Sequence, residues 1–481
     1  MSASRPLTRD AWEPHGTRAP ARIAHFGVGA FHRAHQAWFT AQSSDAAHWG
    51  ISAFSGRRTG SAAALMRQDG LYTLIERSAH DDRFSVIASL VEVHEGADSA
   101  AVIDALARPD TAVLTTTVTE AGYRIALDGT ARLDDAQLRG DVATLREALR
   151  APRIDPPALA TVPGRLLLGL EARRRASAGP VTMLPCDNLP RNGWVLRHGL
   201  IEIAQSVAPS LADWIAENVS FAASCVDRIT PRTTVADVAT VARETPWRDE
   251  VPVVTEPYAS WVIAGAFPAG RPRWESAGAQ FVPDVAPYER RKLWLLNGAH
   301  SLLAELGLAA GQRTVRDAVD DPRCREWLTR FWRSAQRHLP ASLDIDDYRA
   351  QLLERFDNAR IGYELSQIAT DSVVKLRTRF VPVVLRELHA GDDCEVGVEV
   401  LAAWVRRMRD AGPYPDTEGD ALAAILTSSG RPVADLLAFV EPGLSDFTHF
   451  VTRVSRRVDE RSDSPHPRAH PHHTTSKPPG A

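Results

Sequence analysis

Residues Ile23–His35 read IAHFGVGAFHRAH: an apolar run stops at Gly27-x-Gly29, and a helical pattern starts at once. A buried strand that passes into a helix across two glycines constrains the fold more than any other stretch of the chain. The first glycine permits the tight turn. The second removes a Cβ from the path of a phosphate approaching the backbone N–H groups at the helix start. A complete dinucleotide fingerprint carries a third glycine for close helix–strand packing, and this chain has His32 there. Taken alone, the pattern fits a cofactor loop and a plain strand–turn about equally.

The surrounding sequence repeats the alternation. RIAHFGV, WGISAF, LYTLIER, FSVIASLVEV, TAVLTTTVTE, VTMLPCDNLP and VSFAASCVDRIT read as strands. FHRAHQAWFTAQSSD, SAAALMRQ, SAAVIDALARPD, NGWVLRHGLIEIAQSV and LADWIAENV read as helices between them. Strands alternating with helices predict a parallel sheet covered on both faces, an α/β doubly wound domain of Rossmann type. After the Pro/Gly-rich FPAGRPRWESAGAQFVPDVAP the chain turns mostly helical. YERRKLWLLNGAHSLLAELG, CREWLTRFWRSAQRHL, DDYRAQLLERFDN, YELSQIATDSVVKLRTRFVPVVLREL, EVGVEVLAAWVRRMRD and DALAAILTSSG are its helical segments.

At 481 residues the chain exceeds one ordinary core. The expected division is an N-terminal extension over 1–21, a sheet domain over 22–275, a helical domain over 276–460 and a disordered tail over 461–481. The tail, rich in Pro, Ser and His, includes His466, His470, His472 and His473 and reads as solvated, not metal-binding. A formal net charge of −4 offers no basic surface for nucleic acid, and no apolar run is long enough to span a membrane. The four cysteines are scattered, without a CxxC pair, and the first residues lack the apolar centre of a signal peptide. A cytoplasmic, reduced protein, monomeric or weakly oligomeric, is the expectation.

Gly27-Val28-Gly29-Ala30-Phe31-His32-Arg33-Ala34-His35 resembles the opening signature of the mannitol dehydrogenase family of long-chain polyol dehydrogenases. The same family order continues through QDGLYTL (Gln68–Leu74), TVTEAGY (Thr117–Tyr123), CDNLPRNG (Cys186–Gly193), VDRITP (Val226–Pro231) and KLWLLNGAHSLLAELG (Lys292–Gly307). The resemblance spans about residues 22–455. It implies a nicotinamide-dependent, metal-independent interconversion of a linear polyol or hexonate with its ketose or keto acid. D-mannitol to D-fructose is the first expectation, and D-mannonate to fructuronate the alternative. It also makes Gly27, Val28, Gly29, Ala30, Phe31 and Arg33 the cofactor loop, with His32 ordinary for the family.

That reaction needs a base for the hydroxyl proton and donors for the developing oxyanion. Neither a Tyr-x-x-x-Lys pair nor a Cys/His ligand set is evident. Lys292, Asn297 and His300 fall within an arc of roughly 140° on an α-helix, so all three can face one cleft between the domains. Spacing alone fits a surface lysine and a core histidine better. The resemblance makes Lys292 the acid–base and His300 the orienting group. It pairs Asn297 with Asn188 as the oxyanion hole, although Asn188 also suits a turn. It further implies substrate contacts for Asp227, whose bland alternative is an ion pair with Arg228, and for Lys375. Gln367 stands where some polyol-active members carry Arg, and Asp371-Ser372 where the pattern has Asp-Gly-Ser. Arg57 and Arg58, after the second strand, lean toward NADP, whereas the family mostly uses NAD. The rival class is a nucleotide-binding regulator that has lost its chemistry.

Overall fold

A computed structural model of the chain describes residues 4–13, 16–56, 60–119, 122–412 and 416–460. Six strands build the main sheet: β1 (Ala21–Val28), β2 (Gly50–Ser55), β3 (Leu90–His94), β4 (Val113–Thr116), β5 (Val181–Pro185) and β6 (Val219–Phe221). They pair in the order β3-β2-β1-β4-β5-β6, and every pair is parallel. This is the doubly wound order, in which the direction of winding reverses beside β1 and opens a crevice at the strands' carboxyl ends. Side chains on neighbouring positions enter different cores. Phe54, Leu114 and Met183 join one apolar cluster, while Ala53, Val113 and Leu184 join the other. Both faces are therefore covered, which is why β2, β4 and β5 are buried along their whole length.

Several predicted elements divide where tertiary contacts override local preference. VSFAASCVDRIT is two strands: β6 stays in the main sheet, and Ala223–Asp227 pairs antiparallel with Ser260–Ala264 in another. The switch is crowded, since a Cβ on Gly193 would lie 2.4 Å from the Ala222 carbonyl oxygen. FSVIASLVEV likewise splits into Asp82–Ile87 and β3. The helix after the glycine loop breaks at His35 (φ −120°, ψ −88°) into α1 (Ala30–Ala34) and α2 (Gln36–Gln42). His35 Nε2 donates to the Ser260 carbonyl at 2.9 Å, and its ring packs on Phe31, Phe39 and Trp261.

The chain falls into two compact units. The first comprises Met1–Lys292 together with Ala341–Gly362, and the second Leu293–Pro340 together with Tyr363–Ala481. Ile345–Phe356 is helical as expected, yet it belongs with the sheet unit. Arg291 Nη1 donates to the Leu343 carbonyl at 2.6 Å, Asn358 Nδ2 to the Arg77 carbonyl at 2.8 Å, and Arg360 pairs with Asp82 at 2.9 Å. In the second unit, Ala299–Ala309 is buried from Ala299 to Gly307, and Trp332 Nε1 donates to the Leu295 carbonyl at 2.8 Å. The long helix expected around Lys375 is interrupted at Asp371, which takes a left-handed conformation (φ 47°) and accepts from Thr417 N–H at 3.0 Å. Among the described residues no helix is long and apolar enough to cross a membrane.

His32 occupies the third-glycine position without opening the helix–strand contact. Its ring stacks on His25 of β1, with centroids 3.4 Å apart and planes 9° from parallel, and both are fully buried. Thr117 Oγ1 donates to the Gly27 carbonyl at 2.8 Å, so it accepts from His25 Nε2–H at 3.0 Å, while His25 Nδ1 accepts from Thr115 at 2.8 Å. Burial lowers the pKa of both His25 and His35 to about 3. Each stays neutral in the fold where the unfolded chain binds a proton, so stability declines as pH falls from about 6.5 toward 3. Between pH 7 and pH 5 each imidazole is expected to cost about 2 kcal/mol of unfolding free energy. Urea unfolding at the two pH values measures this, and His35→Gln should flatten the dependence. A pH dependence identical in the parent and in His35→Gln would show that the His35 ring titrates normally, because the difference between the two cancels groups of opposite sign such as Glu289, whose pKa burial raises.

Candidate active site

The glycine loop borders a cavity of about 490 Å³ lined by Gly27, Val28, Gly29 and Ala30, by Gly56 after β2, and by Thr117–Thr119 after β4. Gly27 turns at φ 102°, and a Cβ there would lie 2.5 Å from the Thr117 carbonyl oxygen. The turn therefore needs glycine for both conformation and space. Gly29 differs, because a Cβ would meet nothing closer than the Gly27 carbonyl at 3.7 Å, and at Gly56 nothing lies within 4 Å. Both open onto the cavity, a cradle that suits a diphosphate brought close to backbone. Phe31 and Arg33 do not line it. Phe31 stacks on His35, while Arg33 is buried and donates to the Val251 carbonyl and, at 3.2 Å, to the Gly29 carbonyl. Arg33 thus braces the loop from behind. Arg57 and Arg58 lie outside the described residues, as do the four tail histidines.

Within the same unit the structure brings Lys292 and Asn188 together. Lys292 Nζ donates to Asn188 Oδ1 at 2.6 Å, from the last residue of the unit's main segment to the turn after β5. The turn itself is fixed by Asn192, whose Nδ2 donates to the Ser224 carbonyl at 2.8 Å, and by Asp187, which accepts from Tyr123 O–H at 2.6 Å. With its Oδ1 taken, Asn188 keeps its Nδ2 donors for a ligand oxygen. Glu289, one turn before Lys292, was not singled out by sequence. Burial is the main cause that raises its pKa to about 7, opposed by the Arg191 N–H it accepts and by Lys292. The signal was the Glu-x-x-Lys spacing in YERRK, which also describes any exposed helix.

Asp227 ends its strand buried, and its arginine is not Arg228. Both carboxylate oxygens accept from Arg355, each at 2.9 Å, and Arg355 also donates to Glu256 at 2.8 and 2.9 Å. Arg228 pairs with Glu76 at 2.6 Å instead. Burial raises the pKa of Glu256, while the two carboxylates hold Arg355 firmly charged. Sequence could not reveal Arg355, because its partners lie far away in the chain.

Lys292–Gly298 is a π-helical stretch between the α-helices Ala286–Arg291 and Ala299–Ala309, where a uniform α-helix was expected. Such turns recur at functional sites because one extra residue re-aims the side chains around it. In the second unit Gly298 permits a close approach, since a Cβ there would lie 2.8 Å from the Arg379 carbonyl oxygen. Asn297 is partly exposed, and no described residue hydrogen-bonds its carboxamide. His300 is buried edge-on against Tyr363. Lys375 Nζ donates to the Ile368 carbonyl at 2.9 Å, and burial, with Arg379 adding to it, lowers its pKa to about 8. Among the described residues no cluster of three His, Cys, Asp or Glu is placed to hold a metal ion.

The parallel sheet with a glycine-lined crevice, followed by a helical unit, defines a Rossmann-type chain with a helical C-terminal part. The match to known families is specific. Residues 21–276 fit the Mannitol dehydrogenase Rossmann domain and residues 284–460 the Mannitol dehydrogenase C-terminal domain, so the chain belongs to the mannitol dehydrogenase family. It is 33% identical to D-mannonate oxidoreductase of Escherichia coli K12, covering 88% of this chain and 86% of that one. It is 34% identical to mannitol 2-dehydrogenase of Pyrenophora tritici-repentis, covering 84% and 72%. Among solved structures, Pseudomonas fluorescens mannitol 2-dehydrogenase in a ternary complex with NAD and D-mannitol superposes with a TM-score of 0.80 at 32% identity, covering 92% of each chain.

The two loop glycines are expected to fail differently. Gly27→Ala should lower the melting temperature, because its Cβ collides with the Thr117 backbone. Gly29→Ala should fold normally and, if the cavity takes a diphosphate, weaken NADH binding at least about 10-fold by filling space beside the backbone N–H groups. Fluorescence titration with NADH and thermal melts of both variants separate these outcomes. Unchanged NADH affinity in Gly29→Ala would remove the loop from the cofactor site.

Proposed function

We propose that this chain is a nicotinamide-dependent oxidoreductase that interconverts a linear polyol or hexonate with its ketose or keto acid. The observation that carries the reading is the 2.6 Å hydrogen bond from Lys292 to Asn188, two residues that the family resemblance puts in the catalytic set. Lys292 Nζ takes the substrate hydroxyl proton on oxidation and returns it on reduction. As a neutral amine it still has N–H for Asn188 Oδ1 and a lone pair for the hydroxyl. Asn188 Nδ2 and the Asn297 carboxamide donate to the oxygen as charge develops, and His300 orients it. Lys375, and Asp227 held by Arg355, contact the remaining hydroxyl or carboxylate groups. The glycine-loop cavity would hold the cofactor through Gly27, Val28, Gly29 and Ala30, and a bound nicotinamide would supply the hydride chemistry.

NAD is the proposed cofactor, as in the mannitol 2-dehydrogenase complex. D-mannitol is the first substrate. D-mannonate is the second reading, because a D-mannonate oxidoreductase is among the relatives and Gln367 stands in place of an arginine. NADH formation across a panel of hexitols and hexonates decides between them. Activity with none would favour the non-catalytic regulator.

Lys292→Ala is expected to lose about 10²–10⁴-fold in turnover and to regain part of it with a small external amine. Asn297→Ala should lose roughly 10²–10³-fold with no amine rescue. Both should bind NADH as the parent does. Turnover of folded Lys292→Ala near that of the parent across the pH range would assign the proton to another group. The proposed proton transfer needs no metal, so prolonged chelation should leave turnover unchanged, and recovery of lost activity by zinc would overturn the lysine mechanism.

A further inference from the structure

The cavity beside the glycine loop has a charged wall that the proposed reaction does not use. Arg165, in the first turn of α3 (Val162–Arg175), lines it together with Gly56, which directly follows β2. The residue is 9% exposed. Its Nε and Nη2 donate to the Leu159 and Ala160 carbonyls at 3.4 and 3.1 Å, and Nη1 has no acceptor among the described residues. Nη1 also stands close to the carboxyl end of β2. The Ser55 carbonyl oxygen and Arg165 Nη1 both lie within 3.0 Å of the point that a Cβ on Gly96 would occupy.

Asp141 is the acid whose charge acts on Arg165, but it does not line the cavity. No described residue forms a salt bridge with Arg165. The neighbouring acid, Asp141, spends its oxygens on Ala160 N–H at 2.9 Å and on Thr161 N–H and Oγ1 at 2.8 and 2.6 Å. The other charged residue lining the cavity is Arg124, which pairs with Asp135 at 3.2 Å, and no described acidic side chain lines it. In a sheet of this order the adenosine ribose sits at the end of the second strand. An acidic residue there selects a free 2′-hydroxyl, and an arginine accommodates a 2′-phosphate.

We propose that Arg165 reads the ribose 2′ position and gives the cavity affinity for a 2′-phosphorylated adenosine, so that NADP(H) is accepted beside NAD(H). This rests on the glycine-loop cavity being the cofactor site. A guanidinium–phosphate contact is charge-assisted, and removing one typically changes affinity by about 10- to 100-fold. Arg165 then sets cofactor choice, while the loop glycines bind the part common to both dinucleotides.

The test is binding, with no turnover needed. Calorimetric titration with 2′,5′-ADP and with 5′-AMP isolates the 2′-phosphate, and tryptophan-sensitised fluorescence gives dissociation constants for NADPH and NADH. The parent chain should bind 2′,5′-ADP at least as tightly as 5′-AMP. Arg165→Ala should lower that affinity ratio and weaken NADPH about 10- to 100-fold, with NADH nearly unchanged, and Arg165→Lys should retain part of it. A preference unchanged in Arg165→Ala would overturn the assignment. So would an equal loss for both dinucleotides, which would make Arg165 a brace for the Leu159–Ala160 turn. A parent chain that binds neither NADH nor NADPH would instead overturn the cofactor reading beneath it.

Discussion

The buried bidentate pairing of Arg355 with Asp227, shared with Glu256, holds the sheet unit in its working form. Three charges taken from water carry a large desolvation cost, and good geometry offsets it while all three remain. Losing one partner leaves a buried charge unmatched, typically a loss of about 3–5 kcal/mol. What the arrangement secures is position. Ile345–Phe356 lies in sequence among helices of the second unit, and Arg355 fastens it to a strand end in the first. It also fixes the rotamer of Asp227 at the end of Ala223–Asp227, with the Tyr348 hydroxyl 3.4 Å from the same carboxylate. An aspartate held in this way keeps one fixed orientation, which a mobile side chain does not.

The parallel sheet was legible because burial on both faces forces continuous apolar runs, and WGISAF, TAVLTTTVTE and VTMLPCDNLP could hardly have done anything else. What sequence could not show was division within a run. Nothing local marks Ala222 as the point where VSFAASCVDRIT changes sheets, because the crowding comes from Gly193 and Gly265. The break at His35 is set by a carbonyl contributed by Ser260. The family pattern singles out the loop glycines and Lys292, whereas spacing alone favours a surface lysine. The π turn was not, since an α-helical period of 3.6 residues fits KLWLLNG equally well. Arg355 and Glu289 gain their settings from burial and distant partners, and composition records neither.

The surroundings of Lys292 show how little a lysine's own residue type says about what holds it. Its amine is held by a carboxamide, not by a carboxylate: Asn188 Oδ1 accepts its hydrogen bond, and no salt bridge holds Lys292 among the described residues. A carboxylate partner would favour the ammonium form and oppose proton removal. A carboxamide orients either form and adds no charge. Glu289, close enough for Lys292 to act on its pKa, is raised to about 7 by burial. It therefore carries a full negative charge only above neutral pH.

The stacked imidazoles explain why a histidine can stand where a fingerprint has glycine. Glycine solves the helix–strand approach by subtracting a side chain. His32 solves it with a flat ring that lies parallel on His25 at ring-contact distance. The cost is a second polar group in the interior, tolerable because both rings stay neutral. The gain is a continuous polar chain from β4 to the loop: Thr115 to His25, His25 to Thr117, and Thr117 to the Gly27 carbonyl. That chain pins the carbonyl of the residue whose positive φ shapes the glycine-lined cavity. Replacing His32 by glycine would complete the generic motif and remove the ring that holds His25 in plane. By this physics the sequence nearer the fingerprint would make the looser loop.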